Sequence, residues 1–493
     1  MGITAESRSV GRVVSDSIKY VTGQVFPALI NFIGVMVYTR IFTPENYGNY
    51  ALALSLVVVS FAFTIEWIRN SSIRFYPTYR KQGNVKGYFS TLAVVVVASV
   101  GVVALIATIL FLSFRGNLDP GFSRMIPFAV AYFVAFSLFA ISNALLVASF
   151  RGWLFTFTLT TNAASKLLFA VLLYHFLGMG AEGIFVGVSL SCILLTPFIL
   201  KRVGFSFSFK NFSREIAGEM TRFGTPLILM LVSNWAFLHI NRVIIKLLGS
   251  SELVGYYTVG FQFSQNLLSL ALSGFYIASY PVIFHAYEEN QNIGRIIYGL
   301  TKRFILLAFP FISFVAFFSK ELLRLFAGRE FFTGWQVMPL LAFAALFHGS
   351  SQYLVKGFEA VRRSKELGGI YLFSATIFTL LSVILTSHYG IKGAAAAALI
   401  GYIILYTSLF LRLKRQAHLI FPAIPILKGA VYSGVSLVPI QFMMKVVNGP
   451  LPSLILAGVV FLIVYFGILI ITGEFRFKTL ISFVRKKLLR RSE

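Results

Sequence analysis

Apolar runs that approach or exceed 20 residues recur along this chain, at 20–41, 49–73, 88–114, 126–149, 153–177, 183–200, 223–248, 256–284, 303–319, 335–358, 367–389, 391–411, 423–444 and 452–472. A helix of about 20 residues, rising about 1.5 Å per residue, matches a hydrocarbon core about 30 Å thick. Lipid offers no partner to backbone N–H and C=O groups, so such runs must be helices or closed barrel strands, and the period-two alternation of a barrel is absent. The expected fold is therefore an all-α integral membrane protein with about fourteen transmembrane helices. Hydrophobic residues make up 57% of the 493 and charged residues 12%, which leaves no stretch for a soluble catalytic domain.

The net charge of +26 would suit nucleic acid only if the basic residues gathered with aromatics on an exposed domain, and there is none. Topology explains it better. With the N-terminus inside, 29 of the 43 Lys and Arg residues fall in inside segments and 9 in outside ones, the bias that orients helices in a cytoplasmic membrane. Both termini are expected in the cytoplasm. The stretch from Phe475 to Arg491 interleaves cations with Leu480, Ile481, Phe483, Val484, Leu488 and Leu489 and reads as an amphipathic helix on the anionic inner leaflet. The single cysteine, Cys192, permits neither an intramolecular disulfide nor a thiolate metal cluster. No cofactor or metal is expected.

An internal repeat organises the spans. Thr43-Pro44-Glu45-Asn46-Tyr47-Gly48-Asn49-Tyr50 matches Ser250-Ser251-Glu252-Leu253-Val254-Gly255-Tyr256-Tyr257 at an offset of 207. Leu146-Val147 matches Leu354-Val355 at 208, and Gly180-Ala181-Glu182-Gly183 matches Gly390-Ile391-Lys392-Gly393 at 210. A steady offset over six spans implies two six-helix lobes of the same orientation, related by a parallel pseudo-twofold axis along the membrane normal. The expected organisation is a cytoplasmic tail (1–19), an N-lobe (20–204), a cytoplasmic connector (205–222), a C-lobe (223–415), two peripheral helices (416–472) and a basic amphipathic cytoplasmic tail (473–493).

Six plus six repeated spans with two appended, a first span ending Arg40-Ile41-Phe42-Thr43-Pro44-Glu45-Asn46-Tyr47-Gly48, a second ending near Arg69, and a seventh reading Asn241-Arg242-Val243-Ile244-Ile245 before Gly255-Tyr256-Tyr257 resemble the polysaccharide and O-antigen flippases. These belong to the multidrug/oligosaccharidyl-lipid/polysaccharide exporter superfamily. The resemblance implies two lobes around a central, cationic cavity opening alternately to either side. It also implies a polyprenyl-pyrophosphate-linked oligosaccharide as cargo, moved from the inner to the outer leaflet for surface polysaccharide biosynthesis. Other polysaccharide assembly proteins are implied partners, and H+ or Na+ a coupling ion. Asn241 departs from the pattern, because relatives often carry an acidic residue there.

Charge within hydrocarbon costs about 2.5–3.5 kcal/mol on insertion scales, so it normally faces a partner or a watery cavity. Trp235, His239, Arg242 and Lys246 share one face of the seventh span, and snorkelling of Arg242 toward the outer surface competes with a lumen role. On the tenth span, His348, Gln352, Lys356 and Glu359 form a stripe. There His348 suits a structural hydrogen bond or proton coupling, and Lys356 with Glu359 an ion pair or substrate contact. Thr158, Asn162 and Lys166 share a face of the fifth span, with Lys166 near its centre. Glu66 and Arg69 lie i,i+3 in the second span; Gln24, Asn31 and Tyr38 step by seven in the first; Gln262, Gln265, Ser269 and Ser273 mark the eighth. Interhelical hydrogen bonding is the plainer role of these last groups. The lumen set is thus Lys166, Arg242, His239, Lys356, His348, Gln352, Arg69, Asn31, Gln24 and Asn162, with Glu66 and Glu359 as pairing or coupling groups. Pro27, Pro226, Pro281 and Pro310 are the expected kinks.

A polysaccharide polymerase or ligase would display a substantial outer loop and paired carboxylates, and neither is visible. An ion-coupled drug exporter of the same superfamily would favour embedded carboxylates, whereas the embedded charges here are mostly positive. No GxxxxGKS-type phosphate loop occurs, so the chain is not expected to be an enzyme or an ATPase.

Overall fold

The computed structural model describes residues 25–289, 291–361, 363–443 and 450–474. Gln24, the N-terminal tail and the basic stretch 475–493 lie outside the described residues. Helices follow in the order α1 (Val25–Ile41), α2 (Pro44–Thr64), α3 (Glu66–Lys81), α4 (Val85–Phe114), α5 (Pro120–Ala148), α6 (Gly152–Leu177), α7 (Glu182–Val203) and α8 (Arg214–Leu248). They continue with α9 (Ser251–Glu288), α10 (Ile293–Phe317), α11 (Ser319–Phe326), a 3-10 segment (Arg329–Gln336), α12 (Met338–Ala360), α13 (Ser364–Ala417), α14 (Ala423–Met443) and α15 (Pro450–Ile471). Among the described residues ten helices are long and apolar enough to cross a membrane, and the 3-10 segment with α12 makes an eleventh as a pair bent by 58°. The chain is a multi-pass membrane protein.

Local chemistry sets the element boundaries. Thr43 accepts from the Asn46 N–H and Pro44 opens α2, as N-cap and first-turn positions prefer. Asp119 accepts from Gly121 and Phe122 at the start of α5, and Ser250 accepts from Leu253 at the start of α9. As one straight rod the 54 residues of α13 would run about 81 Å, far beyond a bilayer. Gly390, at φ 56° and ψ −138°, breaks it into the two expected spans in a conformation that L-residues rarely adopt. A Cβ on Gly393 would lie 1.9 Å from the Leu385 carbonyl, so the turn between the two legs closes only around a hydrogen.

Packing groups α2–α7 as one lobe and α8–α10, α12 and α13 as the other. The lobes meet where α2 packs on α8 and α9, and where α3 packs on α8. The repeat motif forms this seam reciprocally: a Cβ on Gly48 would sit 1.8 Å from the Ser251 carbonyl oxygen, and one on Gly255 would sit 2.1 Å from that of Pro44. Ser251 Oγ donates to Asn49 Oδ1 (2.5 Å), and Lys246 Nζ donates to Ser251 Oγ (2.6 Å) and faces Asp119 Oδ2 at 3.4 Å. This end of the bundle, the Gly48 face, is the outer one in the charge-based reading. At the opposite end Trp67 lies against Gly224, Phe75 against Phe223 (5.7 Å), and Tyr79 donates to Glu219 (2.6 Å).

The spans differ from the sequence reading at several boundaries; the ninth, for example, starts ten residues early, at Ile293. The second is two helices, interrupted at Ile65, because the apolar α2 gives way to an amphipathic α3 carrying Arg74, Arg80 and Lys81. The seventh starts nine residues early, at Arg214, where Ser213 accepts from the Ile216 N–H and caps it. The tenth begins at Met338, and the loop before it holds α11 and the 3-10 segment. Pro226 and Pro310 lie within uninterrupted helices, so the breaks fall at Ile65 and Gly390 instead.

The two appended helices pack outside the C-lobe, against α10. Tyr465 donates to the Leu306 carbonyl at 2.8 Å, and Glu474 bridges Lys302 of α10 (2.7 Å) and Lys428 of α14 (2.6 Å). Burial alone would raise the Glu474 carboxyl, but the hydrogen bonds and charges of the two lysines hold it below its usual value. A depressed carboxyl contributes stability that is present above its unfolded pKa and lost as pH falls through the folded one. Glu474→Gln is expected to lower the melting midpoint at neutral pH and to flatten the acid limb of a stability-against-pH curve. Gly48→Val is expected to destabilise by about 1–3 kcal/mol, the usual overpacking cost, read as a lower thermal midpoint in detergent.

Candidate functional site

Arg242 of α8 is 6% exposed and sits at the junction of the lobes. Its Nε donates to Thr258 Oγ1 (3.1 Å), and its Nη1 to the Leu238 carbonyl (3.0 Å) and His239 Nδ1 (2.8 Å). The guanidinium lies 5.2 Å from the Phe261 ring centre. No carboxylate pairs with it among the described residues. An arginine only donates, so His239 Nδ1 accepts and the ring carries its proton on Nε2. The same Nδ1 lies 3.3 Å from Ser55 Oγ of α2, and Trp235, stacked on His239, donates its indole N–H to the Ser55 carbonyl at 2.8 Å. Three of the four residues on the seventh-span stripe therefore converge, and two of them, Trp235 and His239, bind Ser55 of the opposite lobe. The fourth, Lys246, is drawn off to Ser251 and Asp119.

A second polar space lies inside the N-lobe. A cavity of about 220 Å³ is lined by Asn31 of α1, Tyr50 and Leu54 of α2, Tyr132 of α5, and Asn162 and Lys166 of α6. Asn162 donates to Ser191 Oγ (3.2 Å) and Cys192 Sγ (3.3 Å). Lys166 has no hydrogen-bond or ion-pair partner among the described residues. Tyr50 is the shared wall, lining this cavity and feeling the charge of Arg242 on its other side.

In the C-lobe the tenth-span stripe divides. The His348 ring lies 4.8 Å from that of Tyr402, which stacks on Phe237 of α8 at 5.0 Å. Gln352 hydrogen-bonds Tyr371. Lys356 instead pairs with Glu359 at 2.6 Å, and Arg69 pairs with Glu66. Both of these cations are engaged by a carboxylate on their own helix. The structure thus brings Arg242 and His239 together at the seam, places Lys166, Asn162 and Asn31 around one chamber, and sets His348 against Tyr402 and Gln352 against Tyr371.

Sequence reasoning missed Ser55, Tyr50, Thr258 and Tyr257, which supply the partners across helices. One signal pointed to two of them, since Tyr50 and Tyr257 are equivalent positions of the 207-residue repeat. Asn241, where an acidic residue was expected by resemblance, donates to Tyr257 Oη (2.8 Å) and to the Ala394 carbonyl (2.9 Å), tying α8 to α9 and α13. It does the work of a helix tether.

A family model described as "Polysaccharide biosynthesis protein" matches residues 13–287. Among solved structures, a lipid II flippase, MurJ, in an inward closed conformation superposes with a TM-score of 0.74 at 14% identity, covering 92% of this chain and 100% of that one. An inward-facing multidrug resistance MATE family transporter of the MOP superfamily gives 0.68 at 14% identity, over 80% and 94%. A MOP superfamily transporter from Pyrococcus furiosus, noted for reverse polarity of its binding pocket, gives 0.58 at 14%, over 82% and 95%. No curated protein matches. These likenesses establish a MurJ/MATE-like transporter fold.

The pairing of Lys356 with Glu359 is open to a double-mutant cycle. Lys356→Met and Glu359→Gln are each expected to destabilise, and the double variant to recover a coupling of about 1 kcal/mol, as for partly exposed ion pairs. Thermal unfolding of the four proteins in one detergent measures it, and additive losses would show the pair to be energetically idle.

Proposed function

The chain belongs to the polysaccharide biosynthesis protein family, and on that premise we propose that it is a flippase for a polyprenyl-pyrophosphate-linked oligosaccharide. It moves the headgroup from the inner to the outer leaflet of the cytoplasmic membrane by alternating access, with both termini in the cytoplasm and the Gly48 face outside. The observation that carries the reading is Arg242, buried between the lobes and solvated by neutral groups, with Lys166 unpartnered in the adjoining chamber. A pyrophosphate has charge that lipid does not solvate, and cations without carboxylate partners replace its lost hydration with charge-assisted hydrogen bonds.

The sugars need neutral donors and acceptors, and Asn31, Asn162, Tyr50 and Tyr132 supply them in the N-lobe chamber. The prenyl chain stays in lipid. His348, against Tyr402 in the C-lobe, is the group in position for proton coupling. A drug exporter is the competing reading within the same fold. Cationic drugs call for a carboxylate at the seam, and Arg242 occupies that place with Asn241 beside it. The reverse-polarity relative shows that pocket charge varies within this superfamily.

The test is a headgroup-accessibility assay in proteoliposomes with labelled lipid-linked oligosaccharide and an unglycosylated prenyl pyrophosphate as control. Lys166→Ala and Arg242→Ala are each expected to slow translocation about tenfold or more, the effect of losing one interaction of about 1.4 kcal/mol in the rate-limiting step. Wild-type rates in both variants would refute the cationic passage.

A further inference from the structure

Inside-positive membrane proteins keep lysine and arginine off the outer surface, yet three outer cations of this chain, Arg40, Arg324 and Arg329, line one pocket, with Lys320 on the same short helix as Arg324. Arg40 ends α1; Lys320, Arg324 and Arg329 belong to α11 and the 3-10 segment that follows it. The two groups come from opposite lobes. They meet because Arg40 caps α11, its Nη2 donating to the Leu325 carbonyl (2.8 Å) and its Nη1 to those of Phe326 (3.0 Å) and Met36 (2.7 Å). Thr39 Oγ1 accepts from the Gly328 N–H at 3.1 Å, and a Cβ on Gly328 would fall 1.8 Å from the Thr39 carbonyl. Between the joined segments opens a largely polar pocket of about 450 Å³, to which Arg40, Arg324, Arg329 and Glu330 contribute.

The charges in this pocket are unequal. Three guanidinium groups face one carboxylate, and neither Arg329 nor Glu330 has an ion-pair partner among the described residues. Arg40 spends its donors on backbone carbonyls, whereas the Arg324 guanidinium lies over Phe332 (5.0 Å), which holds it in place and leaves its N–H groups available. Arginine forks match phosphate oxygens in geometry as well as charge.

The pocket also lies in line with the seam. Phe331, next to Glu330 in sequence and fully buried, packs edge-on against Tyr47 (5.8 Å) and Tyr256 (6.5 Å). Tyr47 in turn feels the charge of Arg242 and accepts a hydrogen bond from Gln262 (3.2 Å). Aromatic rings, Phe331 with Tyr47 and Tyr256, thus lie beside the pocket residue Glu330 in the chain and pack on the helices of the seam.

We infer that this pocket is a receiving site for the pyrophosphate group of the cargo as it leaves the passage at the outer leaflet, an inference that rests on the flippase reading. A cargo held by Arg242 must give up charge-assisted hydrogen bonds to depart. A second set of guanidinium donors in the outer pocket replaces them before the headgroup is rehydrated, so the outward step exchanges one cationic site for another.

The experiment uses the full chain in sealed right-side-out vesicles. Cys192 is the sole native cysteine and is buried, so Glu330→Cys introduces a unique reactive thiol at the pocket rim. A membrane-impermeant maleimide is expected to label it, and inorganic pyrophosphate at about ten times its Kd to slow labelling about tenfold, as mass action requires. Arg324→Gln with Arg329→Gln is expected to abolish that protection, judged against each variant's own labelling rate without pyrophosphate, since loss of neighbouring cations itself slows a thiol. Absence of labelling from outside, absence of protection, protection that survives the arginine replacements, or equal protection by glycerol phosphate would each overturn the assignment. The readout involves no transport. Absence of translocation of the lipid-linked oligosaccharide by the wild-type chain alongside intact protection would therefore refute the flippase reading and leave an outer pyrophosphate site standing.

Discussion

A guanidinium buried among membrane helices without a carboxylate constrains everything around it. Arg242 is tolerated because α8 and α9 of its own lobe deliver neutral acceptors to it: a threonine hydroxyl, a carbonyl of its own helix and an imidazole nitrogen, with a phenyl face behind. Hydrogen bonds to charged groups are worth about 1.5–3 kcal/mol each, comparable with the cost of about 2.5–3.5 kcal/mol for placing arginine at mid-membrane. The cation is therefore stable at rest without an anion. It remains undercommitted, because no opposite charge quenches its field.

The seam that houses this arginine is built from the repeat. Gly48 and Gly255 are equivalent positions, and each admits the other lobe's backbone to a distance that any side chain would forbid. Close backbone approach through glycine is what lipid-embedded helices use where burial of apolar surface gives no driving force. The same seam carries polar groups from both halves, Asn49 with Ser251 and Ser55 with His239. Such a contact is tight and also polar, held by hydrogen bonds as well as by close backbone packing.

Spans and their repeat were legible in the sequence because hydropathy reports membrane residence residue by residue, and the 207-residue offset recurs in motifs a reader can align. Interruptions were not. Ile65 is an ordinary apolar residue, and the break beside it follows from where α3 turns its charged face, a tertiary matter. Prolines looked like hinges on local grounds, yet Pro226 and Pro310 sit within continuous helices, since neighbours and side chains can satisfy the freed carbonyls in a bundle. For the candidate site, periodicity correctly gathered Trp235, His239 and Arg242 on one face. It had no means of naming Ser55 or Tyr50, because contacts across helices depend on rotation and register that one strip of sequence does not encode. Likewise the i,i+3 spacing showed that Lys356 can reach Glu359, and only packing decided that it does.

The distribution of pairing along the molecule carries the last step. Cations near the ends of the spans, Arg69 and Lys356, have carboxylates one turn away; Arg242 and Lys166 have none among the described residues. Were the aim merely to tolerate charge in the bilayer, the opposite arrangement would serve better, because an ion pair is needed most where water is least available. The Asn241 side chain turns away from Arg242, as neighbours on a helix do, and its amide spends its donors on Tyr257 and Ala394. Arg242 and Lys166 differ from Arg69 and Lys356 in carrying buried charge that no carboxylate quenches, and such charge can accommodate an anion that arrives from elsewhere.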